Sequence, residues 1–333
     1  MRHARAHRGE GGHLTLDDHG SSGERFLAGS PPEAARPAAA ARTRSGLTLL
    51  LAGAVLATGL CGCSRQRLVA GMTAPLIEAS LEESFASGDV RTVREGLPGQ
   101  LLLLRGLCRC HPDHTAIWTT TVQLYASYAM MFAQGEDAGW AEDLYAEGKD
   151  VGLRFLMRKP WFADAWEEGP DRLQQELARR KPAELGPILM WTAACLGQHI
   201  LAHQDRPREM LTLPYVDVLL EASIAMNGAY FYGMPYAVKG VMLATMPRGY
   251  GGNLEESDRY FEKAMAVAQN RFLLHQVLYA RHHAVAALDE GAFTRALESV
   301  LAAEENLDPE VRFINLLARE QAAELLQKRS ELF

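Results

Sequence analysis

Two clusters in this chain have the residue types for metal or acid–base chemistry. Cys108-x-Cys110-His111-x-x-His114 puts four potential ligands into seven residues, and thiolates with imidazoles are what zinc or copper prefers. The cluster straddles a helix end and a His-Pro-Asp turn, and residues two apart on a helix diverge, so the sequence reads as an ordinary turn. His199 and His203 are one helical turn apart and can face the same way. The intervening residues lack the glutamate of a zincin, however, and no third ligand is evident. His282-His283 falls on neighbouring faces, partly core and partly solvent. Gly249-Tyr250-Gly251-Gly252 lacks the Lys-Ser/Thr that grips a phosphate, and no Gly-x-Ser-x-Gly or dinucleotide fingerprint occurs. The sequence therefore predicts no catalytic residues, no metal and no cofactor.

A different concentration stands out between Tyr230 and Tyr250. Tyr230, Phe231, Tyr232, Met234, Tyr236, Met242, Met246 and Tyr250 fall within 21 residues and include four of the ten tyrosines. Tyrosine and methionine make adaptable surfaces suited to a groove for an apolar ligand or a partner helix. These residues are the candidate cavity lining.

The elements that must hold them are helices. From residue 73 onward almost every segment has amphipathic helical spacing, with few β-branched runs and no hairpin signal. Asn253 with Glu256 three residues on is a capping-box signature ahead of Phe261, Ala264, Met265 and Ala268. The next helix puts Leu274, Val277, Leu278, Val285 and Leu288 on one face and closes at Asp289-Glu290-Gly291. A third carries Phe293, Leu297, Val300 and Leu301. The last starts at Asp308-Pro309. Trp161–Pro170 and Gln204–Leu213 interrupt the pattern as inserted loops or short helices.

Helices of about 15 residues joined by short polar turns give an all-α fold of antiparallel hairpins. A cryptic tetratricopeptide-like repeat fits: Trp118 and Tyr125 on one helix, then Ala141, Tyr145 and Gly148 as the small-large-small set on its partner. Ala296, Val300 and Ala303 echo that set near the C-terminus.

Upstream, Leu47–Leu60 is an apolar run of secretory length, behind Arg42 and Arg44 and ahead of Cys61-Gly62-Cys63. Leu60-x-Gly62-Cys63 reads as a lipoprotein signal, with Cys63 the acylated first residue of the mature chain and Cys61 a poorer acceptor. Ser64 stands where an inner-membrane retention signal would have Asp, so the expected location is the periplasmic face of the outer membrane. Residues 1–41 read as a disordered leader, 42–62 as the signal peptide, 63–72 as the lipid-anchored N-terminus with a short linker, and 73–333 as one helical domain. Residues 1–62 hold seven arginines and five acids, so the mature chain carries 27 basic and 36 acidic residues, a net charge of −9. That acidity argues against nucleic acid. Cys108, Cys110 and Cys195 are a poor disulfide framework.

Gly88-Asp-Val-Arg-Thr-Val-Arg-Glu-Gly-Leu-Pro98, the helical array, Met246-Pro-Arg-Gly-Tyr-Gly-Gly-Asn253 leading into Tyr260-Phe-Glu-Lys-Ala264, and Asn315-Leu-Leu-Ala318-Arg319 together resemble the TatT family. These are periplasmic lipoproteins associated with TRAP transporters, the tripartite ATP-independent systems. The resemblance implies a tetratricopeptide-like fold, a homo-oligomer, docking to a TRAP-type solute-binding protein and a hydrophobic ligand. It marks Pro247, Gly251, Gly252 and Asn253 as a family loop and Asn315 as a family position. The competing expectation is a repeat scaffold for an envelope assembly with no small ligand. A metal-dependent hydrolase would need one of the histidine clusters to converge with a carboxylate.

Overall fold

Local capping sets where each helix begins. Asp89 accepts a hydrogen bond from Thr92 N, Asp137 from Trp140 N, Asn253 from Glu256 N and Asp289 from Ala292 N, each satisfying an otherwise orphaned first-turn donor. Prolines at first-turn positions start four more helices. In this computed structural model, which describes residues 76–77 and 79–333, the helices are α1 (Val90–Cys110), α2 (Thr115–Tyr128), α3 (Ala138–Leu156), α4 (Pro160–Glu168), α5 (Pro170–Arg180), α6 (Gly186–Ala202), α7 (Leu213–Asn227), α8 (Tyr230–Thr245), α9 (Leu254–Val267), α10 (Leu274–Leu278), α11 (Glu290–Ala302) and α12 (Arg312–Gln327). No strand occurs among the described residues, so the fold is all-α. The leader, signal peptide, acylated Cys63 and linker expected over residues 1–72 lie outside the described residues.

Two helices widen into π turns. Ala129–Ala133 extends α2, and Tyr279–Ala284 extends α10. Gln321 Nε2 donates to the Met131 carbonyl inside the first, giving that backbone group a partner across the fold.

The helices stack in sequence order. α2 packs on α3, α6 packs on both, α7 packs on α6, and α8 packs on α6, α7 and α9. The π turn after α10 packs on α8, α9 and α11, while α12 contacts α11 and returns to α1. Small residues allow the close crossings. A Cβ on Gly148 would lie 2.7 Å from Cys195 Sγ and 2.9 Å from Tyr125 Cβ, so α2, α3 and α6 meet there only because the position is glycine. Trp118, Tyr125, Ala141 and Tyr145 are buried around it.

Of the two expected interruptions, the first is a short helix, and two details near Leu288 differ from the sequence expectation. Trp161–Pro170 is largely the helix α4, with Trp166 stacked on Tyr215 at 4.1 Å. Leu288, expected on a buried face, is 77% exposed, because the helix has ended and Leu288 takes a left-handed φ of 55°. Asp289-Glu290-Gly291, expected to close a helix, instead caps the start of α11.

The family loop is built by backbone. Gly251 sits at φ 94°, in the left-handed region. Gly252 has no such φ; its constraint is space, since a Cβ there would fall 1.8 Å from the Met246 carbonyl oxygen. Asn253 N donates to the Leu243 carbonyl at 2.9 Å, tying the loop back onto α8. Gly252→Val is expected to destabilise the chain by roughly 1–3 kcal/mol, and Gly251→Val by a similar amount from φ strain. Equilibrium urea unfolding checks both, and midpoints equal to wild type would remove the argument.

Asn315 is a staple. Its Oδ1 accepts from Leu273 N and its Nδ2 donates to the Arg271 carbonyl, both at 2.9 Å. It thereby holds the turn in which Gln269 and Asn270 adopt positive φ.

Candidate functional site: an apolar cleft

The residues of α6 facing α8 are small: Ala193, Ala194 and Gly197. Opposite them α8 and its cap present Met234, Val238, Val241, Met242 and Met246. Between the two walls lies a narrow cleft that opens to solvent. α2 adds Ala126, its π turn Met130 and the residue after that turn Gln134; α7 adds Val216 and Leu220; and α10 with the second π turn brings Leu278 and His282 to it. Both π turns therefore border the cleft, through Met130 and His282.

No lining residue is charged. The polar groups are Gln134, Gln198, Tyr145, Trp191 and His282. Burial, followed by the neighbouring Arg281 guanidinium, pushes the His282 imidazole down to about 3, so the ring is neutral at ordinary pH. Burial also raises the Tyr145 phenol well above its usual value. The cleft thus offers thioether and aliphatic surface with a few neutral hydrogen-bonding groups. Such a lining takes an apolar chain or a ligand with a small uncharged polar end.

Of the tyrosines and methionines expected to line a cavity, the structure brings together Met234, Met242 and Met246. Tyr230 stands behind the wall, its hydroxyl accepting from Trp191 Nε1 at 3.2 Å and donating to Gln123 Oε1 at 3.3 Å. Tyr232 lies elsewhere. Its ring stacks on Phe272 at 5.0 Å, and its hydroxyl reaches Asp308 and Glu310 at 3.4 Å. Burial, then those carboxylates, pushes it up to about 12. Tyr236 sits beside Tyr260 at 6.2 Å and covers Gly228, where a Cβ would meet its hydroxyl at 2.3 Å. Tyr250 is 56% exposed in the family loop.

The start of α8 explains this division. Phe231, Tyr232 and Gly233 are consecutive residues with positive φ, at 45°, 59° and 83°, so neighbours in the cluster leave the chain in different directions. The side chains that sequence reasoning missed are the small residues of α6. They carry no chemical signature of their own, and only their position opposite the methionines gives them meaning.

The two cysteines near the first turn point to different surroundings. Cys108 is buried against Thr121 Oγ1 at 3.2 Å, and burial raises its thiol, while Cys110 is exposed. His111 and His114 do not join them in a grouping of metal-ligand spacing. Such a grouping does arise at Glu142, His199 and His203, whose ligand atoms lie within 4.8 Å of one another. Glu142 on α3 is the third ligand that the sequence did not reveal, because it is 57 residues from His199 along the chain.

Residues 86–333 match the TAtT family model, the TRAP transporter T-component. The chain belongs to this family. No curated protein matches it. As a TAtT member it is a TRAP-transporter-associated component. The match covers all the elements that form the cleft, from α2 to the π turn after α10.

Proposed function

We propose that this TAtT protein is a lipid-anchored component at the periplasmic face of the outer membrane. In this reading it binds a hydrophobic ligand in the α6–α8 cleft and exchanges it with a TRAP-type solute-binding protein. The observation that carries the ligand reading is the uncharged, methionine-rich cleft bordered by two π turns. Anchoring rests on the Leu60-x-Gly62-Cys63 signal. The repeat reading, a tetratricopeptide-like array, draws support from the way α6 and α8 each pack on two preceding helices, with glycine at the crossing. Leu102 and Leu103, 70% and 58% exposed on α1, supply apolar surface for a second copy or for the solute-binding protein.

Each buried methylene of a ligand contributes about 0.8 kcal/mol, enough for a long chain to reach micromolar binding after association costs. Ala194→Leu would fill the cleft from the α6 side, at a residue that is not fully buried and faces the opening. The variant should lose at least tenfold in affinity for a fluorescent fatty-acid probe while keeping the wild-type helical circular dichroism. If the wild-type chain binds no probe and native mass spectrometry shows no co-purified lipid, the scaffold without a small ligand becomes the better account.

A further inference from the structure

α3 and α6 form one side of the cleft, and just beyond its lining their side chains build a second site. His199 lies in the last turn of α6 and His203, four residues on, is the residue that caps its end, with the ring centroids 4.6 Å apart. Facing them from α3 is Glu142, one turn before the lining residue Tyr145. Its Oε1 lies 2.8 Å from His203 Nε2. His203 Nδ1 lies 2.9 Å from the carbonyl oxygen of His199. A carbonyl only accepts, so Nδ1 carries the proton and Nε2 is the nitrogen turned toward the carboxylate. That is the arrangement by which a backbone carbonyl fixes the tautomer of a coordinating histidine.

His199 completes the set. The residue is 9% exposed and its Nδ1 has no hydrogen-bond partner, while its Nε2 lies 3.5 Å from Glu209 Oε2 on the short helix Pro207–Met210. A buried imidazole nitrogen left unpaired beside a second histidine and two carboxylates is a costly arrangement unless something binds it. Lys149 is the nearby opposing charge, and its ammonium is paired with Asp150 at 3.4 Å.

We propose that Glu142, His199 and His203 hold a divalent transition-metal ion, with Glu209 as the nearest further ligand. Two imidazoles with one or two carboxylates suit zinc. The ligand atoms already lie within 4.8 Å of one another. An ion would sit about 2.0–2.2 Å from each ligand atom. Glu142, whose side chain is 36% exposed, leaves the approach open. The ion would clasp α3 to the C-terminal end of α6, where Leu201 lines the cleft, and through Glu209 draw in the segment that follows. Its role is to fix the cleft wall, because it ties together the two helices that form one side of the cleft.

The test uses the full chain, stripped with chelator and re-equilibrated with zinc, alongside Glu142→Gln and His199→Ala/His203→Ala. Bound zinc is measured by elemental mass spectrometry and cobalt(II) coordination by visible absorption. The expected result is one zinc ion per wild-type chain beyond what the double variant retains, at least tenfold weaker binding in Glu142→Gln, and loss of the tetrahedral-type cobalt spectrum in the double variant. Because Glu142 is partly exposed, Glu142→Gln should keep the wild-type circular dichroism even if the double variant does not. Equal zinc content in wild type and Glu142→Gln, or an unchanged cobalt spectrum, would mean that Glu142 and His203 form an ion pair only, and the proposal would fall. Fatty-acid probe binding measured on the same samples reads the cleft separately.

Discussion

Lowering the pH from 6.5 to 4.5 is expected to remove about 2–3 kcal/mol of folding stability through His275 alone. Its imidazole is fully buried, and burial pushes it from 6.5 down to about 4, a shift only partly offset by its Nε2–H bond to the Tyr232 carbonyl at 2.8 Å. In the unfolded chain the same ring takes a proton below 6.5. Between the two values the unfolded state binds one more proton, so stability falls by about 1.4 kcal/mol per pH unit as pH drops. The contribution is complete above 6.5 and is lost as pH falls toward about 4. His282, held at about 3, and His199 and His283, both lowered chiefly by burial, act with the same sign. Glu176, held at about 2 by Arg179, Arg180 and Arg172, adds its loss only below its unfolded value of 4.5, so the window from 6.5 to 4.5 belongs to the histidines. Urea unfolding at pH 7.0, 6.0 and 5.0 reads the slope, and His275→Gln should flatten it by the share of one proton. A midpoint that does not move over this range, or a variant with the wild-type slope, would refute the assignment.

How much of this was legible in the chain depends on whether the signal was local. The starts of α9 and of the segment at Asp308-Pro309 could be read from Asn253 and Asp308, because capping is a matter of three or four consecutive residues. The all-α class followed from spacing for the same reason. Leu288 was misplaced because periodicity does not show where a helix unwinds; a left-handed residue immediately before a cap looks like any other apolar residue in the pattern. The π turns were invisible, since an extra residue in one turn leaves composition unchanged while rotating everything after it.

The cleft was half legible. Clustering of methionine pointed to Met234, Met242 and Met246, which do share a wall. The tyrosines among them were assigned to the same wall by proximity in sequence, yet three positive-φ residues at the start of α8 send Tyr232 toward Asp308, and the family loop leaves Tyr250 in solvent. Tyr230 shows how a near miss arises: it supports the cavity through Trp191 rather than entering it. The third residue beside His199 and His203 was beyond reach, because α3 and α6 are brought together by Gly148 and Gly152, and contacts through an absent side chain leave no mark on a hydropathy pattern.

That same crossing carries the other large effect: Gly152→Ala is expected to cost about 2–3 kcal/mol. A Cβ at this position would lie 2.0 Å from Thr192 Oγ1 and 2.9 Å from both Thr192 Cβ and Cγ2. Thr192 is fully buried and β-branched, so it has no free rotamer into which to retreat, and the helices would have to move apart. Its hydroxyl has no hydrogen-bond partner, which makes Thr192→Ala the informative second change. Alone, that substitution should alter stability by no more than about 1 kcal/mol, since losing a methyl contact is offset by removing an orphaned polar group. In the double variant the added methyl occupies the space left by the threonine, and half or more of the Gly152→Ala loss should return. Displacing α3 from α6 also shifts Tyr145 relative to Ala194, so the single variant should bind the fatty-acid probe more weakly and the double variant should recover. Denaturant unfolding of the four proteins gives the coupling energy directly. If the two substitutions simply add, the helices are not held apart at this contact, and the close α3–α6 approach does not depend on glycine at position 152.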